Sequence, residues 1–203
     1  MKWNPIIRSH FVLAIQTALF AQPAPSGALR NAVVLIIRHA EKSRSGQELA
    51  AAGYARANAY VDYFGNYQVD GKPLRLDCLF AAMDSKTSHK GHPREAPYPR
   101  LTLEPLGRAL GLAINSQFND RAFEQLAEAL RTEPHGKAIL IACHHEGIPP
   151  LLHALGAVPD QVLPAGSWPP LVYDWVIQLR FDDQGRLLEA KRISEKLMPG
   201  DVD

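Results

Sequence analysis

At 203 residues the chain is long enough for one domain with a full core and short for two. Hydrophobic residues make up 46% and charged residues 21%, an ordinary globular composition that argues against a disordered or fibrous chain. A net charge of +1 gives no broad electrostatic footprint for nucleic acid, so any cationic function must be local.

Residues 1–30 differ from the rest. Lys2 and Arg8 precede the largely apolar run FVLAIQTALFA, and the polar, proline-rich QPAPSGALRN follows. A basic start, a short apolar core and small residues near a cut are the layout of a secretory signal peptide, with cleavage expected after Ala21 or Ala24. The run is too short to span a bilayer comfortably, so no stable membrane insertion is expected. The expectation is export to the periplasm or exterior, with residues 31–203 as the folded domain. A cytoplasmic enzyme with an extra amphipathic helix is the alternative.

Val33 to Ile37 form an unbroken apolar run, which suits a strand buried on both faces of a parallel sheet. Residues 47–64 carry apolar positions at spacings of three and four and are predicted as a helix, with Gly53 allowing a close approach. GNYQVDGKP is turn-rich. LDCLFAAM at 76–83 is a second buried strand. Residues 84–100 are a long polar loop, of the kind that is usually functional or mobile. TLEPLGRALGLAIN then reads as a helix with Pro105 in its first turn, where a missing N–H is harmless. Residues 119–131 form another helix, 137–143 a third buried strand and 147–155 the helix after it. YDWVIQLRF and LLEAKRIS flank an Asp182-Asp183-Gln184-Gly185 turn, a hairpin at the sheet edge. Alternating strands and helices predict an α/β sandwich with a mostly parallel sheet. Cys78 and Cys143 read as small buried side chains, with a disulfide conceivable if their strands are neighbours. Trp168, in a proline-rich turn, reads as packing or as a pocket wall.

Arg38 and His39 follow the first strand directly, where ligands of open α/β sheets bind. The run AILIAC is likewise followed by His144 and His145. Two strands ending in histidine can point both rings into one pocket. An arginine fork matches phosphate oxygens, and a histidine can act as a nucleophile near neutral pH. There is no G-x-x-x-x-G-K-S/T loop and no G-x-S-x-G elbow, which removes those two routes of hydrolysis. No metal is expected. The adjacent side chains of His144, His145 and Glu146 diverge on an extended segment, and the loop histidines His89 and His92 have no cysteine beside them. No cofactor is implied.

Four segments resemble the histidine phosphatase superfamily, which includes phosphoglycerate mutases, phytases and acid phosphatases. They are RHAEK at 38–42, LAAAGYARA at 49–57, PRLTLEPLGRALGL at 99–112 and CHHEGIPPLLHALG at 143–156. The resemblance implies a three-layer α/β/α sandwich, phosphoglycerate mutase-like. It also implies His39 as a nucleophile forming phosphohistidine and Arg38 as a phosphate clamp. Lys42 stands where the phytase-like branch holds a phosphate-binding arginine. His144, in its charged form, falls at the second histidine position, with His145 the alternative. Arg100 or Arg94 would supply a further clamp, although Tyr98 occupies the place where relatives carry that arginine. Glu146 and Asp84 are both candidates for the general acid. The implied function is phosphomonoester hydrolysis on a small phosphorylated molecule. A phosphomutase and a non-catalytic phosphate-binding domain are the alternatives. Oligomeric state is not readable from the chain.

Overall fold

The computed structural model describes residues 29–44, 47–83 and 97–201. Residues 1–28 of the expected signal segment and linker lie outside them, as do Asp84, His89, His92 and Arg94; Leu29, expected in the linker, is 1% exposed within the core.

The predicted central run forms β1 (Val33–Arg38). Two further apolar runs form β4 (Cys78–Ala81) and β6 (Ala138–Cys143). The short β5 (Ile114–Asn115) and the hairpin of β7 (Trp175–Phe181) and β8 (Leu187–Ser194) complete a six-stranded sheet of order β5-β4-β6-β1-β7-β8. The pairs β5-β4, β4-β6 and β6-β1 are parallel, and β7 runs antiparallel to both its neighbours.

The strand side chains alternate between two cores, which is why the runs contain no polar break. On one face Leu35, Ile37, Leu79, Leu140 and Ala142 pack against Tyr60 and Phe64 of α1 (Ala51–Gly65) and Leu103 and Leu106 of α2 (Tyr98–Leu110). On the other, Val34, Ile36, Phe80, Ile139 and Ile141 meet α3 (Phe123–Thr132) and α4 (Ile148–Ala154). Each fully buried aliphatic side chain contributes about 1.5–3 kcal/mol. Helices on both faces of one mostly parallel sheet give the expected three-layer sandwich.

Element boundaries moved where tertiary contacts intervene. Residues 47–50 are not helical: Leu49 pairs with Lys42, and the Ala50 N–H donates to the Glu41 carbonyl, so the segment stays extended beside the loop after β1. Helix α2 starts at Tyr98, inside the stretch read as loop, so Pro105 lies within the helix and not in its first turn. Pro97 and Pro99 cost nothing at the start, where N–H groups lack intrahelical partners anyway. The helix ends at Gly111, whose φ of 67° is the left-handed conformation a C-terminal cap favours. Ile114 and Asn115, read as helical, add the edge strand β5. Helix α3 starts at Phe123 because Asn119 Oδ1 accepts the Arg121 N–H and holds residues 119–122 in a turn. The turn-rich stretch contains a small hairpin, β2 (Gln68–Val69) and β3 (Lys72–Pro73), closed by Asp70 and Gly71 at positive φ.

Cys78 and Cys143 are free thiols. Cys78 pairs across to Ile139, four residues before Cys143 on the same strand. That is roughly 13 Å along β6 at about 3.3 Å per residue, too far to bridge.

Candidate active site

The register of β1 on β6 brings the site together. Pairing runs from Val33↔Ala138 to Arg38↔Cys143, and the His39 N–H donates to the Cys143 carbonyl at 2.9 Å. His39 and His144 therefore leave neighbouring parallel strands at equivalent positions, about 4.8 Å apart by strand spacing alone. Parity puts both rings on one face. His39 continues the Leu35–Ile37 side and His144 the Leu140–Ala142 side. Their centroids lie 4.9 Å apart, edge to face. His145 follows in a 3-10 turn, His145–Gly147, so of the two adjacent histidines it is His144 that stacks against His39.

His39 is 2% exposed. Its Nδ1 lies 2.7 Å from the Ala40 carbonyl oxygen. A carbonyl only accepts, so Nδ1 carries the proton and Nε2 keeps its lone pair. Burial pushes the His39 pKa down to about 3. The Ala40 carbonyl opposes that shift, and His144, Arg38 and Lys42 add to it. The ring is neutral through the physiological range.

The loop is held from α2. The Ala40 N–H donates to Thr102 Oγ1 at 2.8 Å, and the Thr102 hydroxyl donates to the Tyr98 carbonyl at 2.7 Å. The Tyr98 ring lies 5.4 Å from His39 and 6.4 Å from His144. Lys42 is exposed, with its ammonium 5.9 Å from the Tyr98 ring centre.

Arg38 is 3% exposed and on the opposite face of β1. Its Nη1 donates to the carbonyls of Pro170 (2.6 Å) and Val172 (3.0 Å), and Nη2 donates to the Tyr173 hydroxyl (3.1 Å). The guanidinium stacks on the Tyr173 ring at 3.8 Å. Burial lowers its pKa, while Tyr173 and Glu41 oppose the shift. Its Nε is buried without a hydrogen-bond partner among the described residues. The Trp168 Nε1–H donates to the same Val172 carbonyl, and the Trp168 ring packs on Trp175 at 5.4 Å. Trp168 is thus a core residue that fixes the turn receiving Arg38.

No family model matches the sequence, and no curated protein does. Solved structures do. The protein histidine phosphatase SixA complexed with tungstate overlays with a TM-score of 0.51, covering 80% of this chain and 97% of that one at 17% identity. SixA from Agrobacterium tumefaciens gives 0.51, with 79% and 97% covered at 19% identity. Phosphoglycerate mutase from Plasmodium falciparum gives 0.51, with 84% and 96% covered at 12% identity. The fold is that of the histidine phosphatases.

On this histidine phosphatase fold the sequence-predicted site residues divide. His39 and His144 meet ring to ring, while Arg38, on the other face of β1, is linked to them through Tyr173, whose ring it stacks on and which lies 6.3 Å from His39; Lys42 is exposed beside Tyr98. Arg100 does not join them. It lies on the outer side of α2, with a side chain 56% exposed and 3.7 Å from Glu104. The cause is helical phase: with Tyr98 and Thr102 turned inward, the residue between them points away. Glu146 also stands apart, its side chain 87% exposed and 4.0 Å from His145 Nε2. His145 is half-buried, and burial lowers its pKa, helped by Arg38 and opposed by Glu146.

Tyr173 and the Glu41–Arg56 pair were not found by sequence reasoning. Tyr173 had a usable signal. A strand antiparallel to β1 begins where β1 ends, so the residues before Trp175 had to reach the site.

Proposed function

We propose that the protein is a phosphomonoester hydrolase that works through a phosphohistidine on His39. One observation carries this reading: a buried, neutral imidazole whose Nδ1 proton is fixed on the Ala40 carbonyl, leaving Nε2 to attack phosphorus. Attack forms the N–P bond as the ester P–O bond breaks, and water then hydrolyses the intermediate. His144, 4.9 Å away, would stabilise the transferring oxygens. The Nε–H of Arg38, without a hydrogen-bond partner among the described residues, is a buried donor whose desolvation costs about 1–3 kcal/mol, which an anionic ligand oxygen would recover. Lys42 adds charge at the mouth. The same fold carries enzymes named as a protein histidine phosphatase and a phosphoglycerate mutase, one of them solved with tungstate, a tetrahedral oxyanion like phosphate. A small phosphorylated molecule is the proposed substrate, and residues 1–28 are proposed to direct export.

The test is His39→Ala assayed on an aryl phosphate. Turnover should vanish while the thermal transition persists, and wild-type-like turnover would end the assignment.

A second reading is favoured by the outward position of Glu146, which leaves no carboxylate placed as leaving-group acid among the residues proposed for that role and described. A non-catalytic phosphate-binding domain would bind vanadate and neither trap phosphohistidine nor turn over.

A further inference from the structure

Behind the His39 loop lies a buried ionic hub that the proposed chemistry does not use. Arg56 of α1 is 2% exposed. Its Nε and Nη2 donate to both Glu41 carboxylate oxygens at 2.8–3.2 Å. Its Nη1 and Nη2 also donate to Asp201 at 3.0 and 2.6 Å. Glu195 sits 3.7 Å from Nη1, and burial pushes its carboxyl up to about 8 against the pull of Arg56. Asp201 Oδ2 accepts the N–H groups of Leu197 and Met198, so it is locked into the C-terminal segment. Burial works against the Arg56 charge, but the bonds to Asp201 and Glu41 outweigh it and raise its pKa.

Glu41 is two residues after His39 and one after Ala40, the carbonyl that fixes the His39 tautomer. The Glu41 backbone runs so close to Gly53 that a Cβ there would meet the Glu41 carbonyl oxygen at 2.1 Å. Two supports therefore bracket the carbonyl of Ala40: Thr102 on its own N–H and Arg56 on the next side chain.

We propose that Arg56 is a positioning residue that ties the chain's C-terminal segment, through Asp201, to Glu41, and so sets the tautomer and aim of the His39 imidazole. The guanidinium is planar and bidentate on both sides, which suits it to carry geometry from one carboxylate to another. The tie rests on the phosphatase reading for its effect on rate, but not for its effect on the ring.

Two readouts separate the two ideas. In full-length protein, Glu41→Gln and Asp201→Asn should each lower kcat on p-nitrophenyl phosphate by roughly 10- to 100-fold, as expected for small misplacements of a reacting group, with KM changed far less. The double variant should lose little more than the worse single one, because both act through one guanidinium. Nitrogen NMR of labelled histidine should show His39 held as the Nδ1–H tautomer in the wild type and mixed in the variants. Arg56→Lys, which keeps charge but loses the fork, should shift the tautomer in a chain that still folds. A wild type without turnover would count against the phosphatase reading alone, since the tautomer still reports the tie. Unchanged tautomer and kcat in folded variants, or losses that multiply in the double variant, would overturn the positioning role.

Discussion

Protonation of two buried residues sets opposing pH dependences. His39 has a folded-state pKa of about 3 against an ordinary value of 6.5. Between those values the unfolded chain binds the extra proton, so this contribution to stability is lost as pH falls from 6.5 toward 3. Glu195 is raised from 4.5 to about 8. The native state holds that proton, so its contribution is lost as pH rises from 4.5 through 8. Each slope approaches about 1.4 kcal/mol per pH unit within its window. Urea unfolding from pH 4 to 8 should show His39→Gln with the acid-side loss reduced and Glu195→Gln with the alkaline-side loss reduced; slopes equal to wild type would refute both assignments. Arg100 gives a second test at this scale. Its exposed pair with Glu104 is an i,i+4 contact of the kind that contributes about 0.3–0.5 kcal/mol. Arg100→Ala should therefore leave kcat/KM on an aryl phosphate within about twofold, and a loss of a hundredfold would show that the side chain swings into the site.

Among elements, the pairing of β1 with β6 decides most. A slip of one residue would put His144 on the opposite face and leave His145 beside His39. The six-residue in-register ladder prevents that, because every alternate residue on both strands is buried in one of two cores. The packing of α1 on the His39 loop is the second determinant. Gly53→Ala must displace the Glu41 backbone, and overpacking of this kind costs about 1–3 kcal/mol. The variant should melt lower and lose more kcat than its loss of folded fraction explains. A variant with wild-type kcat would show that the loop moves without consequence for His39.

For the whole molecule, the sheet, its two helical layers and the meeting of the two imidazoles were legible because they rest on local patterns. Continuous apolar runs mark strands buried on both faces, and a chemical residue directly after such a run must lie at the strand's carboxyl end. Arg38 and His39 needed nothing more to be placed at a strand end; His144 and His145 stayed alternatives until the β1–β6 register set the His144 ring against His39. Arg100 was misplaced because its position depends on where α2 begins. Pro97 and Pro99 look like loop residues until they are seen at a helix start, and a shifted start rotates every side chain after it. The Pro170 and Val172 carbonyls that occupy Arg38, the Tyr173 ring beneath it and the Arg56 tie to Asp201 all join segments more than a hundred residues apart. No periodicity in the chain encodes such contacts. The sequence alone determined which segments become buried strands and which residue types stand at their carboxyl ends, since burial and period are properties of short segments. The tertiary structure decided which donors remain available, which nitrogen of His39 holds the proton and which cations stay outside, because hydrogen-bond partners and dielectric surroundings exist only once distant segments have packed.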